Sequence, residues 1–235
     1  MFNRVADVYP ARPPYPEALV QAIAALAPRG GRVLDVGAGI GHLALPLAEA
    51  ELDVLAIEPA EAMLDALRQR MAETESRAAA IHGAAESLPV PDDSADLVVI
   101  ADGLHFMDVE LTEREVRRVL RRGGALAVVT AELADTSFMN RLRAVMEESA
   151  PRRPRDVRGA VTQLLALLRP KTVLARDFAE ETQVDPERLE RILGSISYIG
   201  PAMNAELGAA FRAKVREIPG PRLWARRLTL HSGHR

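Results

Sequence analysis

From about residue 32 to residue 132, short apolar runs alternate with stretches whose apolar positions recur every three or four residues. The runs RVLDV, DVLAIEP, AAAIHG, ADLVVIADG and ALAVVTAE are apolar nearly throughout, not at every second residue. Strands buried on both faces of a parallel sheet read this way. Between them, GHLALPLAEA, AEAMLDALRQRMAE and TEREVRRVLRRGG predict helices. The last carries a capping-box start at Thr112 and Glu115 and a double-glycine end. Alternating strands and helices, joined by right-handed crossovers, predict a Rossmann-like doubly wound α/β sheet.

The flanks follow other rhythms. The first 16 or so residues hold too many prolines for a continuous helix. Glu17 to Ala27 predicts a helix with a stripe of Leu19, Ile23 and Leu26, stopped by PRGG. After residue 132, SFMNRLRAVMEESA and RGAVTQLLALLRP predict helices joined by PRRPRD. TVLARDFAEETQ and PRLWARRLTLHSG predict strands, separated by helices at about 186–195 and 203–217. The expectation is an antiparallel hairpin at the edge of a mostly parallel sheet, with helices near 137–168 as a cap. As domains, 1–235 reads as one: an arm and helix at 1–31, a core at 32–132, a helical cap insertion at 133–170, and C-terminal strands and helices at 171–235.

Composition narrows the function classes. With 30 basic and 33 acidic residues the net charge is −3, which exerts no general pull on nucleic acid or anionic membrane. There is no cysteine, so disulfides, thiolate nucleophiles and thiolate metal sites are excluded. The five histidines lack zinc spacing, and no acidic cluster calls for a metal. The N-terminus lacks the apolar region of a signal peptide, and no apolar run nears the roughly 18 residues of a membrane span. A cytoplasmic protein, monomer or homodimer, is expected.

The first candidate chemistry is the turn DVGAGIG. Gly37 permits a tight turn and Gly39 a close approach of backbone to ligand. A dinucleotide fingerprint needs its third glycine at 42; here His42 stands there and the glycine is Gly41. Glycine turns also join strand to helix without any ligand, but Glu58 ends the second strand about 20 residues on, where a carboxylate accepts both hydroxyls of a ribose. The second is VVIADGLHFMD, which sets His105 just past the fourth strand, where open α/β sheets bind ligands.

These segments, with VLAIEPAEAMLDALR, IHGAAESLPVPDDSADLVVIADGLHFMD and EVRRVLRRGGALAVVT, resemble the successive motifs of class I S-adenosylmethionine-dependent methyltransferases. The resemblance implies that Asp35, Gly37, Ala38, Gly39 and Gly41 flank the methionine part of S-adenosyl-L-methionine. It implies that Glu58 holds the ribose, that Pro59 packs near the adenine, and that Ala85 and Glu86 lie beside it. Many relatives have aspartate where Ala84 stands, which leaves the backbone of Ala85 to make the adenine contact. Ala101 and Asp102, ending the fourth strand, complete the expected cofactor contacts. ADGLHFMD, YPARPPYP and SISYIG are similar to signatures of the trans-aconitate methyltransferase-like branch, with Phe106 where tryptophan is usual.

Methyl transfer from a sulfonium needs an aligned nucleophile and exclusion of water. For a hydroxyl or amine acceptor a base near neutral pKa helps, and His105 is the candidate. With a carboxylate acceptor it only positions, and as a structural residue it bonds a carbonyl. Tyr15, Phe106 and Phe138 are candidate acceptor contacts. Tyr9 and Arg12 are candidates to close on the cofactor, Arg12 meeting its carboxylate. The implied reaction is methylation of a small-molecule acceptor, at oxygen before nitrogen and carbon, leaving S-adenosyl-L-homocysteine. The rivals are a protein that binds the cofactor without methyl transfer (a cyclase or a regulatory subunit) and an NAD-dependent oxidoreductase. The glycine spacing and the lack of a Tyr-x-x-x-Lys pair speak against the latter.

Overall fold

A computed structural model of the chain describes residues 2–149, 156–200 and 206–235. The basic loop at 151–155 and the start of the helix expected from 203 lie outside the described residues. The strands are β1 (Arg32–Val36), β2 (Asp53–Glu58), β3 (Ala79–His82), β4 (Ala95–Ala101), β5 (Leu120–Leu133), β6 (Val173–Gln183) and β7 (Leu223–His234). The helices are α1 (Glu17–Ala24), α2 (Ala44–Glu49), α3 (Glu61–Glu73), α4 (Val109–Val119), α5 (Ser137–Ser149), α6 (Val157–Leu168), α7 (Pro186–Gly194) and α8 (Glu206–Arg216).

One seven-stranded sheet has the order β3-β2-β1-β4-β5-β7-β6. β1 pairs in parallel with β2 (Val33 opposite Val54) and with β4 (Val33 opposite Leu97), and β4 pairs in parallel with β5. The strand order therefore reverses between β1 and β4. In sheets of this kind that reversal opens a crevice at the carboxyl ends of the strands. β7 runs antiparallel to both neighbours. Its end at Arg235 donates to Gly124 O at 2.9 Å, while Ala134 donates to Ala225 O at 2.9 Å. Likewise Lys171 donates to His234 O at 3.1 Å, and Val184 to Arg222 O at 2.9 Å. The mostly parallel sheet with an antiparallel edge is as the sequence pattern predicts.

The chain divides into two compact units. The larger comprises Tyr15–Ala131, Arg155–Phe178 and Leu228–Arg235; the smaller comprises Met1–Pro14, Glu132–Pro154 and Ala179–Arg227. In the larger unit both faces of the central strands are covered, which is why β1, β2 and β4 are apolar nearly throughout. Val33, Val54, Leu97 and Val99 meet Leu19, Ile23, Leu47 and Leu67 on one face. Leu34, Ile57, Val98 and Ile100 meet Val116, Val119, Val161 and Leu164 on the other. Burying such a side chain contributes about 1.5–3 kcal/mol. The smaller unit has its own core, in which Phe138, Met139, Leu142 and Met146 of α5 pack with Leu189, Ile192, Leu193, Phe211 and Trp224.

Three expectations differ from the structure. The helix predicted from Thr112 begins at Val109, because Asp108 caps it with a side chain that accepts from Glu110 N and Leu111 N. Thr112 is buried in its second turn, and Glu115 pairs with Arg118 instead of reaching back to a cap. Nor does the double glycine end that helix. α4 passes directly into β5 at Leu120, and Gly123 and Gly124 fill a register shift in β5 opposite Ala95 to Leu97. The two helices expected to share one cap insertion separate: α5 falls in the smaller unit, while α6 packs on α4 in the larger.

Candidate functional site

The end of β1 is held against β2 by its own glycines. Gly37 N and Ala38 N both donate to Ile57 O, at 2.8 and 3.2 Å. This doubling requires the left-handed φ of +74° at Gly37, a conformation that costs other residues about 1–2 kcal/mol. A Cβ on Gly37 would lie 3.0 Å from Met107 Cε. Gly39, at φ +57°, turns its N–H onto Glu58 Oε2 at 2.7 Å. Gly41, at φ +83°, serves packing: a Cβ there would lie 2.4 Å from Leu67 Cδ1. The resemblance implies a cofactor contact at Gly41; the tight seat of the turn on α3 is a packing reason for glycine at the same position.

Glu58 binds the turn to the next helix. Oε2 takes Gly39 N and Oε1 takes Ala60 N at 2.9 Å, just ahead of α3. The residue is 4% exposed, and burial pushes its carboxyl up, opposed by those two N–H groups and by nearby His82. Each oxygen keeps a further lone pair for a diol. Pro59 is exposed, its carbonyl 3.1 Å from His82 Nε2. Asp35 is 2% exposed, with its carboxyl pushed up to about 7 by burial and by the charge of Glu58, against the N–H of Ala44. Its Oδ2 is buried with no hydrogen-bond partner among the described residues. Asp35 therefore keeps hydrogen-bonding capacity that no described residue meets.

One strand over, β4 ends where its apolar run gives way to Asp102 and Gly103. Asp102 N still donates to Val129 O at 2.8 Å, but Asp102 has φ +52°, and the chain turns away through Gly103. A 3-10 turn, Leu104–Phe106, follows, with Leu104 buried and His105 half-buried. The His105 and Phe106 rings lie 4.1 Å apart at 40°, and Phe106 is exposed. The larger unit thus brings Asp35, Gly37, Ala38, Gly39, Glu58 and Pro59 to the end of β1 and β2, and Ala101, Asp102, His105 and Phe106 to the end of adjacent β4. Tyr15 packs partly buried against the core around Leu19. Ala85 is buried behind the loop after β3, and Glu86 accepts Asp108 N at 2.9 Å.

Tyr9, Arg12 and Phe138 belong to the smaller unit. There Arg12 donates to Ser195 Oγ at 2.8 Å, Ser195 O at 3.0 Å and the Tyr9 hydroxyl at 3.2 Å, and it lies 4.3 Å from the Tyr9 ring centre. These bonds secure the arm to the end of α7. Phe138 is 6% exposed within its unit's core, so the helix stripe accounts for it.

The residue types alone did not mark several residues that hold the site. Arg70 of α3 donates to Ile40 O at 2.5 Å, clamping the glycine turn from outside. Glu115 accepts Leu88 N at 2.6 Å, and Arg118 donates to Leu88 O and Val90 O at 2.9 and 2.8 Å. Only the Asp108 cap had a local signal, an aspartate directly before a helical stretch.

A doubly wound sheet with a glycine turn and an acid at the switch point defines the Rossmann-like class of nucleotide-binding α/β proteins. Residues 33–124 match the model of a methyltransferase domain. An uncharacterized methyltransferase of Mycobacterium tuberculosis is 42% identical over 118 residues, half of this chain and 46% of that relative. A malonyl-[acyl-carrier protein] O-methyltransferase of Methylococcus capsulatus is 37% identical over 119 residues, 48% of this chain and 42% of its own. The crystal structure of the YcgJ protein from Bacillus subtilis superposes with a TM-score of 0.60 at 19% identity, covering 93% of this chain and 96% of that one. The chain carries, over residues 33–124, a domain that matches methyltransferases, and the comparisons support its likeness to the class I S-adenosylmethionine-dependent kind. It spans about half the length of the curated relatives it matches.

Proposed function

We propose that the chain transfers a methyl group from S-adenosyl-L-methionine to a small-molecule acceptor, first of all at an oxygen. The observation that carries this reading is the pairing of Gly39 N with Glu58 across the ends of β1 and β2. It supports a turn without side chains beside a carboxylate with lone pairs to spare, which suits a ribose. Asp35, with a buried oxygen in need of a donor, suits the ammonium of the methionine portion. When bound, the cofactor supplies a methyl carbon on a sulfonium, and the sulfur keeps the bonding pair as a neutral thioether. Gly37, Ala38 and Gly39 hold the methionine side, and Glu58, Pro59 and Ala85 the nucleoside side.

His105 stands at the neighbouring strand end, with Phe106 as an aromatic wall. In this reading its imidazole takes the proton from an acceptor hydroxyl as the new O–CH₃ bond forms. For a carboxylate acceptor no proton is moved and His105 orients it. Tyr15 is assigned to the acceptor side. Arg12 and Tyr9 are assigned the ordering of the arm. The Methylococcus relative, by its name an O-methyltransferase, favours oxygen. The likeness of the arm and the His105 segment to the trans-aconitate-like branch favours a small acidic acceptor.

Calorimetry with S-adenosylhomocysteine on the wild type and on Gly39→Arg is the test. Binding that the variant abolishes is expected. Absence of binding to the wild type overturns the reading. Binding without turnover over a panel of hydroxy, carboxylate and amine acceptors would favour a protein that holds the cofactor without transferring methyl. With an acceptor in hand, full turnover and unchanged affinity in His105→Ala would remove both roles given to His105.

A further inference from the structure

The start of α4 is capped from outside its own sequence. Asp108 Oδ1 takes the N–H groups of Glu110 and Leu111, both at 3.0 Å. In a self-contained capping box the third helical residue returns a carboxylate to the N–H of the cap. Here that residue is Leu111, which has no acceptor. The N–H of Asp108 goes instead to Glu86 Oε1 at 2.9 Å, from a loop 22 residues earlier in the chain.

That loop is built to deliver the carboxylate. Ala85 and Leu88 are each 4% exposed, so its flanks are anchored in the core. Leu88 donates to Glu115, and its carbonyl and that of Val90 accept from Arg118, so the loop backbone is fastened to α4 itself. A negative group at this helix end also suits the helix dipole. His105 lies three residues before Asp108. Its turn is therefore bounded by two fixed points: Asp102, left-handed and bonded to Val129 O, and Asp108, held by Glu86. Between them Met107 reaches towards Gly37, where a Cβ would come within 3.0 Å of its Cε.

We propose that Glu86 is a positioning residue for His105: its carboxylate completes the capping box of α4 from another loop and sets the conformation of the Leu104–Asp108 segment. The consequence for methyl transfer rests on the reading of His105 as the residue facing the acceptor; the coupling itself does not. It also gives Glu86 a part other than the expected contact with the cofactor's adenine.

The test is amide hydrogen exchange over residues 104–111, with the His105 ring signal followed by NMR and S-adenosylhomocysteine binding by calorimetry. In Glu86→Ala, exchange at Asp108 is expected to rise about tenfold or more and the His105 signal to shift. S-adenosylhomocysteine affinity is expected to change less than about threefold. Glu86→Gln keeps an acceptor oxygen and should restore most of the protection. So should Leu111→Glu in the Glu86→Ala background, because it supplies the box carboxylate in sequence at an exposed position. A large loss of affinity with unchanged protection at Asp108 would make Glu86 a cofactor ligand and overturn the proposal. Unchanged protection and signal, or failure of Leu111→Glu to rescue, would overturn it too. Should Glu86→Ala not fold, Glu86→Leu, which keeps side-chain bulk and loses the acceptor, carries the same comparison with Leu111→Glu. Failure of the wild type to bind the product would count against the proposed function alone, since the exchange readout needs no ligand.

Discussion

Burial of Asp35 beneath the start of α2 holds its carboxyl near 7, against an ordinary aspartate value of 3.8. The folded chain thus grips this proton more tightly than the unfolded chain does. The stabilisation from protonation is complete below about 4 and is lost as pH rises through about 7. Asp35→Asn, uncharged at every pH, is expected to match the wild type near pH 4 and to exceed it in stability at pH 8, as denaturant unfolding of the ligand-free protein would show. Parallel pH profiles would contradict this. At the residue scale the candidate site was partly legible. Gly37, Gly39, Glu58 and His105 stand out because few residue types can take a left-handed turn, bind a diol or titrate near neutrality. Arg70 and the capping role of Glu86 were not legible. Their partners lie 30 and 22 residues away, and any arginine or glutamate on a solvated face reads the same.

α4 shows where element boundaries escape sequence rules. Two capping patterns overlap in DVELTERE: Asp108 ahead of Val109, and Thr112 with Glu115. The second is the fuller motif, yet the first is used, because Glu86 supplies the missing carboxylate to Asp108 and Glu115 is drawn away by Leu88 N and Arg118. The two starts predict opposite mutational outcomes. Asp108→Ala removes two capping bonds and is expected to cost about 1 kcal/mol, or a fall in Tm of about 2–4 °C. Thr112→Val is expected to be neutral or mildly stabilising, since the Thr112 hydroxyl is buried with no hydrogen-bond partner among the described residues. Thermal unfolding of both variants decides; a costly Thr112→Val would restore the later start. β1, β2 and β4, by contrast, were legible nearly to the residue, because double-sided burial writes an unbroken apolar run, whereas β5 starts five residues ahead of its apolar run.

Each compact unit keeps its own core, and the smaller contains a buried ion pair. Arg226 of β7 donates through Nε to Glu180 Oε2 of β6 at 2.7 Å, with a second contact from Nη2, and both side chains are over nine-tenths buried. Removing one partner leaves a charge stranded in a medium that solvates it poorly. Arg226→Met is therefore expected to destabilise the smaller unit by about 3–5 kcal/mol, and Glu180→Leu added to it to recover much of that loss. Hydrogen exchange at residues 179–183 and 222–227 is the measure. An unaffected single variant would show that the pair contributes nothing.

The sequence by itself determined the class of fold and the candidate chemistry. Apolar runs with a period that switches from strand to helix admit little besides a doubly wound sheet. DVGAGIG, Glu58 and His105 are residue types that the proposed chemistry cannot easily replace. Only the tertiary structure decided which capping motif starts α4, that α5 and α6 belong to different units, that Gly41 faces Leu67, and that Arg12 spends its hydrogen bonds on Ser195 and Tyr9. These outcomes share one physical cause. Each is a competition among several locally acceptable partners, settled by groups distant in the chain that arrive only when the sheet has brought its strand ends together.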